Sequence, residues 1–225
     1  MQTVEYAAGR SADVFGDPTQ PMVLLWHGQQ ADARSSVRSL AELIARHGLA
    51  VVAPDWNSAN ADGGRADLLA SVEFTRSHAD DADHVVLVGW SMGGLAAAGL
   101  TIQAHQHGVA FSHTVCLAGA FMVADPISRE RPAEQLHDAA DPTPFTLLHG
   151  VDDRVIPLSV AHEFAAALQQ HHWPARVLEL PADHGSIAGA AYDPAAGRYY
   201  AATDERSLAV AADVAALIAD AARQR

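Results

Sequence analysis

From residue 21 onward, short unbroken apolar runs alternate with segments whose apolar residues recur every three or four positions. The first pattern is that of a strand buried on both faces, and the second that of a helix with one buried stripe. Residues 21–26 (PMVLLW) form the first central strand. Val37, Leu40, Ala41 and Ile44 then mark a helix with Gly48 as its stop. A strand over 49–53, a helix carrying Leu68, Leu69 and Val72, and a strand over 84–90 follow. Further strands are predicted over 113–122, 144–148 and 176–180, the last two separated by a helix with Val160, Phe164, Ala167 and Leu168 on one face. From about Asp204, Val210, Val214, Leu217 and Ile218 share one face of a closing helix. This alternation predicts an α/β fold with a mostly parallel central sheet and helices on both faces.

Residues 1–20 read as a small antiparallel edge, with Gly16-Asp17-Pro18 as a turn. Two stretches have no period. Residues 123–142 hold Pro126, Pro132 and Pro142 and form either a short cap over a pocket or a plain surface loop. Residues 187–203 contain Asp193-Pro194, Gly197 and the pair Tyr199-Tyr200.

A chain of 225 residues, 49% of them hydrophobic, can bury one sizeable core, so a single domain over 1–225 is expected. Fourteen Lys+Arg against 27 Asp+Glu give a formal charge of −13. Such a surface repels phosphate backbones and anionic membranes, which argues against nucleic acid and membrane as partners. Cys116 stands alone, which excludes an internal disulfide and a thiolate-built zinc site, and its apolar neighbours predict a buried side chain. The N-terminus lacks the basic start and apolar core of a secretory signal, and no apolar run is long enough to span a bilayer. Cytoplasmic residence is the resulting expectation.

Gly89-Trp90-Ser91-Met92-Gly93 ends one predicted strand and opens a stretch of small residues. A serine hydroxyl is a poor nucleophile unless the backbone holds it clear of the sheet, within reach of a base. A sharp strand-to-helix turn does this, and glycines at 89 and 93 let the two elements close around the strained central residue. The new helix also brings unpaired N–H groups to the place where negative charge would develop. The segment matches the nucleophile elbow.

Ser91 then needs a base. Thirteen histidines make composition useless for choosing one, but catalytic groups in such sheets sit on loops beyond the carboxyl ends of strands. His184 follows the strand 176–180 through Pro181-Ala182-Asp183, whereas His78, His105, His107, His171 and His172 fall at helix ends. The carboxylate that orients the base should leave a strand between Ser91 and His184. Asp153, in the run from His149 to Pro157, is preferred over its neighbour Asp152, which caps the turn or faces water, and over Asp125 beyond the strand 113–122. Two backbone donors should hold the oxyanion: the N–H of Met92, and that of Gln29, turned inward by Gly28. His27 is expected to order this loop rather than act as a second base. Trp56, Trp90, Met122, Ile156 and Ile187 flank the motif loops and are candidates for an apolar substrate pocket.

With His27-Gly28-Gln29, the elbow, and Gly150-Val151-Asp152-Asp153-Arg154-Val155-Ile156-Pro157 followed by Asp183-His184-Gly185 in this order, the chain resembles the α/β-hydrolase superfamily. Within it, the likeness is to small carboxylesterases and dienelactone-hydrolase-like enzymes, although dienelactone hydrolases proper carry cysteine where this chain has Ser91. The resemblance covers residues 21 to the terminal helix and implies the α/β-hydrolase fold. It also implies a Ser91–His184–Asp153 triad working through an acyl-enzyme; that mechanism needs no metal or organic cofactor, and the short candidate cap departs from large-lidded lipases. The expected activity is cleavage of carboxylic esters with small or medium acyl chains. A small-molecule ester is the expected partner, with a homodimer left open. Thioester, lactone or amide cleavage, cofactor-free perhydrolysis, and service as a non-catalytic small-molecule receptor stand as alternatives, because the pocket rather than the triad chooses the leaving group.

Overall fold

The computed structural model describes residues 1–140 and 142–223. Its chain order is β1 (Gln2–Ala7), β2 (Arg10–Phe15), β3 (Met22–Trp26), α1 (Arg38–Arg46), β4 (Ala50–Pro54), α2 (Arg65–His78), β5 (Val86–Trp90) and α3 (Met92–Ile102). There follow β6 (His113–Leu117), β7 (Phe145–Gly150), α4 (Leu158–Gln170), β8 (Ala175–Leu180), β9 (Ala190–Asp193), β10 (Arg198–Ala201) and α5 (Glu205–Arg223). Among the described residues, β1 to β8 make one sheet in the order β1-β2-β4-β3-β5-β6-β7-β8. The pairings from β4 to β8 are parallel, and β1 and β2 add the antiparallel edge. No helix among the described residues is long and apolar enough to cross a membrane.

Alternation along the strands decides which helix covers which face. Val23, Leu25, Val51 and Val88 point to one side, where they pack with Leu40 and Ile44 of α1 and Val214 and Ile218 of α5. Leu24, Trp26, Val52 and Leu87 point to the other and meet Leu68 and Val72 of α2 and Ala96, Ala97 and Leu100 of α3. Further along that second face, Cys116, Phe145 and Leu147 pack with Phe164 and Leu168 of α4. Both faces are closed by helices, so β3, β4 and β5 are apolar throughout.

Two expectations need correction. The strand predicted over 113–122 stops at Leu117, because Ala118 adopts φ +47 and turns the chain across the sheet edge. Beyond it, the N–H of Ala120 reaches the Ser91 carbonyl at 3.4 Å. The aperiodic stretch 187–203 holds the β9–β10 hairpin, which falls outside the main sheet. Asp193 accepts the Ala195 N–H and Gly197 supplies φ +63 at its turn. The stretch 123–142, of which residue 141 lies outside the described residues, is a packed loop with one 3-10 turn at Pro132–Glu134. Its centre is the buried Asp125 carboxylate, which accepts the N–H groups of Ile127 and Ser128 and the amide of Gln135.

Burial of two histidines has a consequence for folding. Desolvation pushes His27 and His113 down from 6.5 to about 4. In the unfolded chain each imidazole takes up a proton as the pH falls through 6.5, while in the folded protein it stays neutral to about 4. Stability therefore declines across that window and levels off below it, by up to about 3 kcal/mol per histidine. Urea unfolding at about pH 7 and about pH 4.5, near the ends of this window, should show a lower midpoint at the acid end. His113→Asn should flatten the decline; an unchanged slope would show that the imidazole takes up its proton at the same pH in both states.

Candidate active site

Four loops meet beyond the carboxyl ends of β3, β5, β7 and β8. At the end of β5 the chain enters α3 through Ser91, which holds φ +56 and ψ −117. A non-glycine residue there is strained, and its neighbours hold it. The Ser91 N–H donates to the Leu117 carbonyl at 2.8 Å, and its own carbonyl accepts the Leu95 N–H at 3.0 Å. Side chains are excluded on both flanks: a Cβ on Gly89 would overlap the Gly93 carbonyl, and one on Gly93 would overlap the carbonyls of His27 and Trp26.

His184 lies on the loop after β8. The Asp183 carboxylate accepts the Gly185 and Ser186 N–H groups at 2.9 and 2.8 Å, a local turn that fixes the histidine's backbone. Its carbonyl accepts the Trp90 indole N–H at 2.7 Å, which ties the loop to the strand feeding Ser91. The imidazole spans the gap between two loops: Nε2 stands 3.0 Å from Ser91 Oγ, and Nδ1 stands 2.8 Å from Asp153 Oδ2.

Asp153 follows β7. One carboxylate oxygen accepts the Val155 and Ile156 N–H groups at 2.7 and 2.9 Å, leaving Oδ2 for His184. Burial alone would raise this carboxyl, but the His184 hydrogen bond and those two N–H donors outweigh it and hold the pKa below the usual carboxylate value. An ionised Asp153 accepts from Nδ1–H, which leaves the lone pair of His184 Nε2 facing the Ser91 hydroxyl. Asp152 points away into solvent and pairs with Arg206 at 3.3 Å.

The loop after β3 passes close to Ser91: a Cβ on Gly28 would stand 3.3 Å from Ser91 Cβ. His27 orders it. Its Nδ1–H donates to the Gly28 carbonyl at 2.8 Å, and Nε2 accepts the N–H groups of Ala33 and Trp56, both at 3.3 Å. With its pKa near 4 it is neutral, as two incoming donors require. Among the described residues, the N–H groups of Gln29 and Met92 have no hydrogen-bond partner.

The cleft at Ser91 has a volume of about 190 Å³ and is lined by Gln30, Trp90, Val155, Tyr192 and Tyr199 together with Gly28, Gln29 and His184. Of the five pocket candidates from the sequence, Trp90 alone lines it. Trp56, Ile156 and Ile187 are core residues, with Trp56 stacked on His27 and its indole N–H on the His27 carbonyl. Met122 is exposed and borders a different depression, beside Phe121 and Arg131. The lining that sequence reasoning missed comes largely from the β9–β10 hairpin. The alternation available to reveal it is only four residues per strand, broken by Asp193-Pro194.

Residues 23–225 match the alpha/beta hydrolase family, and the chain belongs to it. No curated protein matches the sequence. Among solved structures, the apo form of Thermogutta terrifontis esterase 2 is similar over 83% of this chain and 85% of its own, with 16% identity and a TM-score of 0.69. The same esterase phosphorylated by paraoxon is similar over 95% and 91%, with 16% identity and a TM-score of 0.73. Its butyrate-bound form is similar over 96% and 94%, with 15% identity and a TM-score of 0.69.

Proposed function

We propose that the chain is a serine hydrolase that cleaves carboxylic esters of small or medium acyl chain through an acyl-enzyme on Ser91. The observation that carries this reading is the unbroken path from Asp153 Oδ2 to His184 at 2.8 Å and from His184 to Ser91 Oγ at 3.0 Å. Ser91 Oγ attacks the ester carbonyl carbon while its proton passes to His184 Nε2, and the carbonyl oxygen becomes an oxyanion. The Gln29 and Met92 N–H groups receive that charge. Collapse breaks the bond to the alcohol oxygen, which takes the proton from Nε2 and leaves. Water then gives a proton to Nε2 and attacks the acyl carbon; the bond to Oγ breaks, the proton returns to Oγ, and the acid departs. Asp153 stays ionised throughout and stabilises the imidazolium.

The lining favours an apolar, compact substrate. Val155 and Tyr192 are large apolar side chains left exposed at the cleft. A volume near 190 Å³ falls below the roughly 300–1,000 Å³ typical of sites for drug-sized ligands. Thermogutta terrifontis esterase 2 is described with propionate and with butyrate bound, short acids of the kind this cleft accommodates.

The test uses the purified protein with p-nitrophenyl butyrate and an active-site-directed fluorophosphonate. Nitrophenol should appear, the probe should stop its release, and the mass increment should sit on the peptide carrying Ser91. Labelling at another residue, or ester turnover that survives full labelling, would overturn the reading.

A further inference from the structure

The loop that carries the Gln29 N–H is fixed at its base and exposed at its tip. At the base, buried His27 donates to the Gly28 carbonyl, which also accepts the Gln30 N–H at 2.8 Å. Gln29 itself is exposed. An oxyanion donor at such a tip loses its alignment unless something beyond it holds the chain, and alignment is what the donor contributes.

The Gln30 side chain supplies that hold. Its Oε1 accepts the Tyr199 N–H at 2.5 Å and its Nε2 donates to the Tyr199 carbonyl at 3.3 Å. This two-way exchange is what a neighbouring strand would offer, and it caps an edge of β10 that would otherwise present unpaired groups. Tyr199 is in turn fixed from the other side, with its ring edge-on to Trp90 at 5.0 Å between centroids and 6.1 Å from His184. Trp90 donates to the His184 carbonyl. A continuous path thus links the donor loop, the hairpin and the base.

We propose that Gln30 is a positioning residue: by clamping the backbone of Tyr199 it holds the Gln29 N–H in line with the developing oxyanion, and the β9–β10 hairpin is the fixed support it clamps to. The proposal rests on the Ser91 reading given above. Its effect falls on the transition state, where the charge develops, and little on ground-state binding. Loss of one aligned donor costs about 10²–10³ in kcat, so loss of the clamp, with the donor still present but free to wander, should cost about 10–100-fold.

Gln30→Met keeps the length and the apolar stem and removes both hydrogen bonds. On p-nitrophenyl butyrate its kcat should fall about 10–100-fold with KM within about threefold of wild type. Its affinity for an alkyl trifluoromethyl ketone, which adds to Ser91 Oγ and forms a stable oxyanion, should fall by a similar factor. Gln30→Glu retains an acceptor for the Tyr199 N–H and should recover part of both losses. A kcat that stays within threefold in Gln30→Met, or one that falls while ketone affinity holds, overturns the proposal. If Gln30→Met does not fold, the same two readouts with the same limits on Gln30→Ala, which also removes both hydrogen bonds, decide it. Fluorophosphonate labelling of wild-type Ser91 separates the two failures: labelling with no effect at Gln30 sinks the clamp alone, and no labelling sinks the catalytic reading beneath it.

Discussion

Ser91→Ala lowers kcat/KM on p-nitrophenyl butyrate by at least about four orders of magnitude, with the melting temperature held or raised. The loss follows from the chemistry: alanine has no oxygen to form the acyl-enzyme, and what remains is water acting near His184 and the oxyanion donors. The stability expectation follows from burial and backbone. Ser91 Oγ is bonded to His184 alone, so its removal orphans one imidazole nitrogen in a site open to solvent. Alanine accepts φ +56 no better than serine does, so the elbow stays strained but intact. Steady-state kinetics and thermal unfolding on the same preparation check both halves. Turnover within tenfold of wild type would remove Ser91 from the mechanism. A collapse in stability would instead make the activity loss uninformative, in which case Ser91→Cys, which keeps a nucleophile, decides between the two explanations.

How far the sequence revealed this arrangement depended on whether each feature was local. The elbow was legible because its glycines answer to steric contacts within five residues and its flanks are a buried strand and a small-residue helix. His184 was legible by position: it follows a strand end, whereas His78, His105, His107, His171 and His172 fall at helix ends. Asp153 over Asp152 rested on one residue of spacing, and the structure shows what that spacing does: the following N–H groups of Val155 and Ile156 turn Asp153 inward, while Asp152 meets Arg206 in solvent. The lining of the cleft was not legible. Tyr199 sits 169 residues from Gln30 in the chain yet shares two hydrogen bonds with it, and no period in either segment encodes that meeting. Trp56 and Ile187 were misplaced for a related reason: adjacency to a motif loop in sequence says nothing of which side of the sheet a side chain enters, and both point into the core. The over-long strand at 113–122 shows the same limit, because the turn at Ala118 comes from tertiary contact with the Ser91 region rather than from a glycine or proline at that position.

Asp153 and Asp125, two buried carboxylates at the carboxyl edge of the sheet, are expected to separate sharply when each is changed to asparagine. Asp153→Asn should reduce kcat by about four orders of magnitude with KM little altered. An amide can present N–H₂ to His184 Nδ1, which then becomes the acceptor and places the ring proton on Nε2, facing Ser91 Oγ with no lone pair to receive its proton. It also removes the negative charge that stabilises the imidazolium. Asp125 has a different employment. It lies against Gly99 of α3 and gathers the N–H groups of Ile127 and Ser128, the Ser128 hydroxyl and the Gln135 amide, with no histidine among its partners. Asp125→Asn keeps one carbonyl oxygen for the N–H donors and sets its new amide hydrogens against the Gln135 amide, so it should cost about 1–3 kcal/mol of folding stability and less than about tenfold in kcat. Kinetics at saturating substrate, paired with urea unfolding, reads both effects in both variants. If Asp125→Asn were the variant that lost four orders of magnitude, the carboxylate that serves the base would lie on the 123–142 loop, and the 2.8 Å contact between His184 and Asp153 would be structural only.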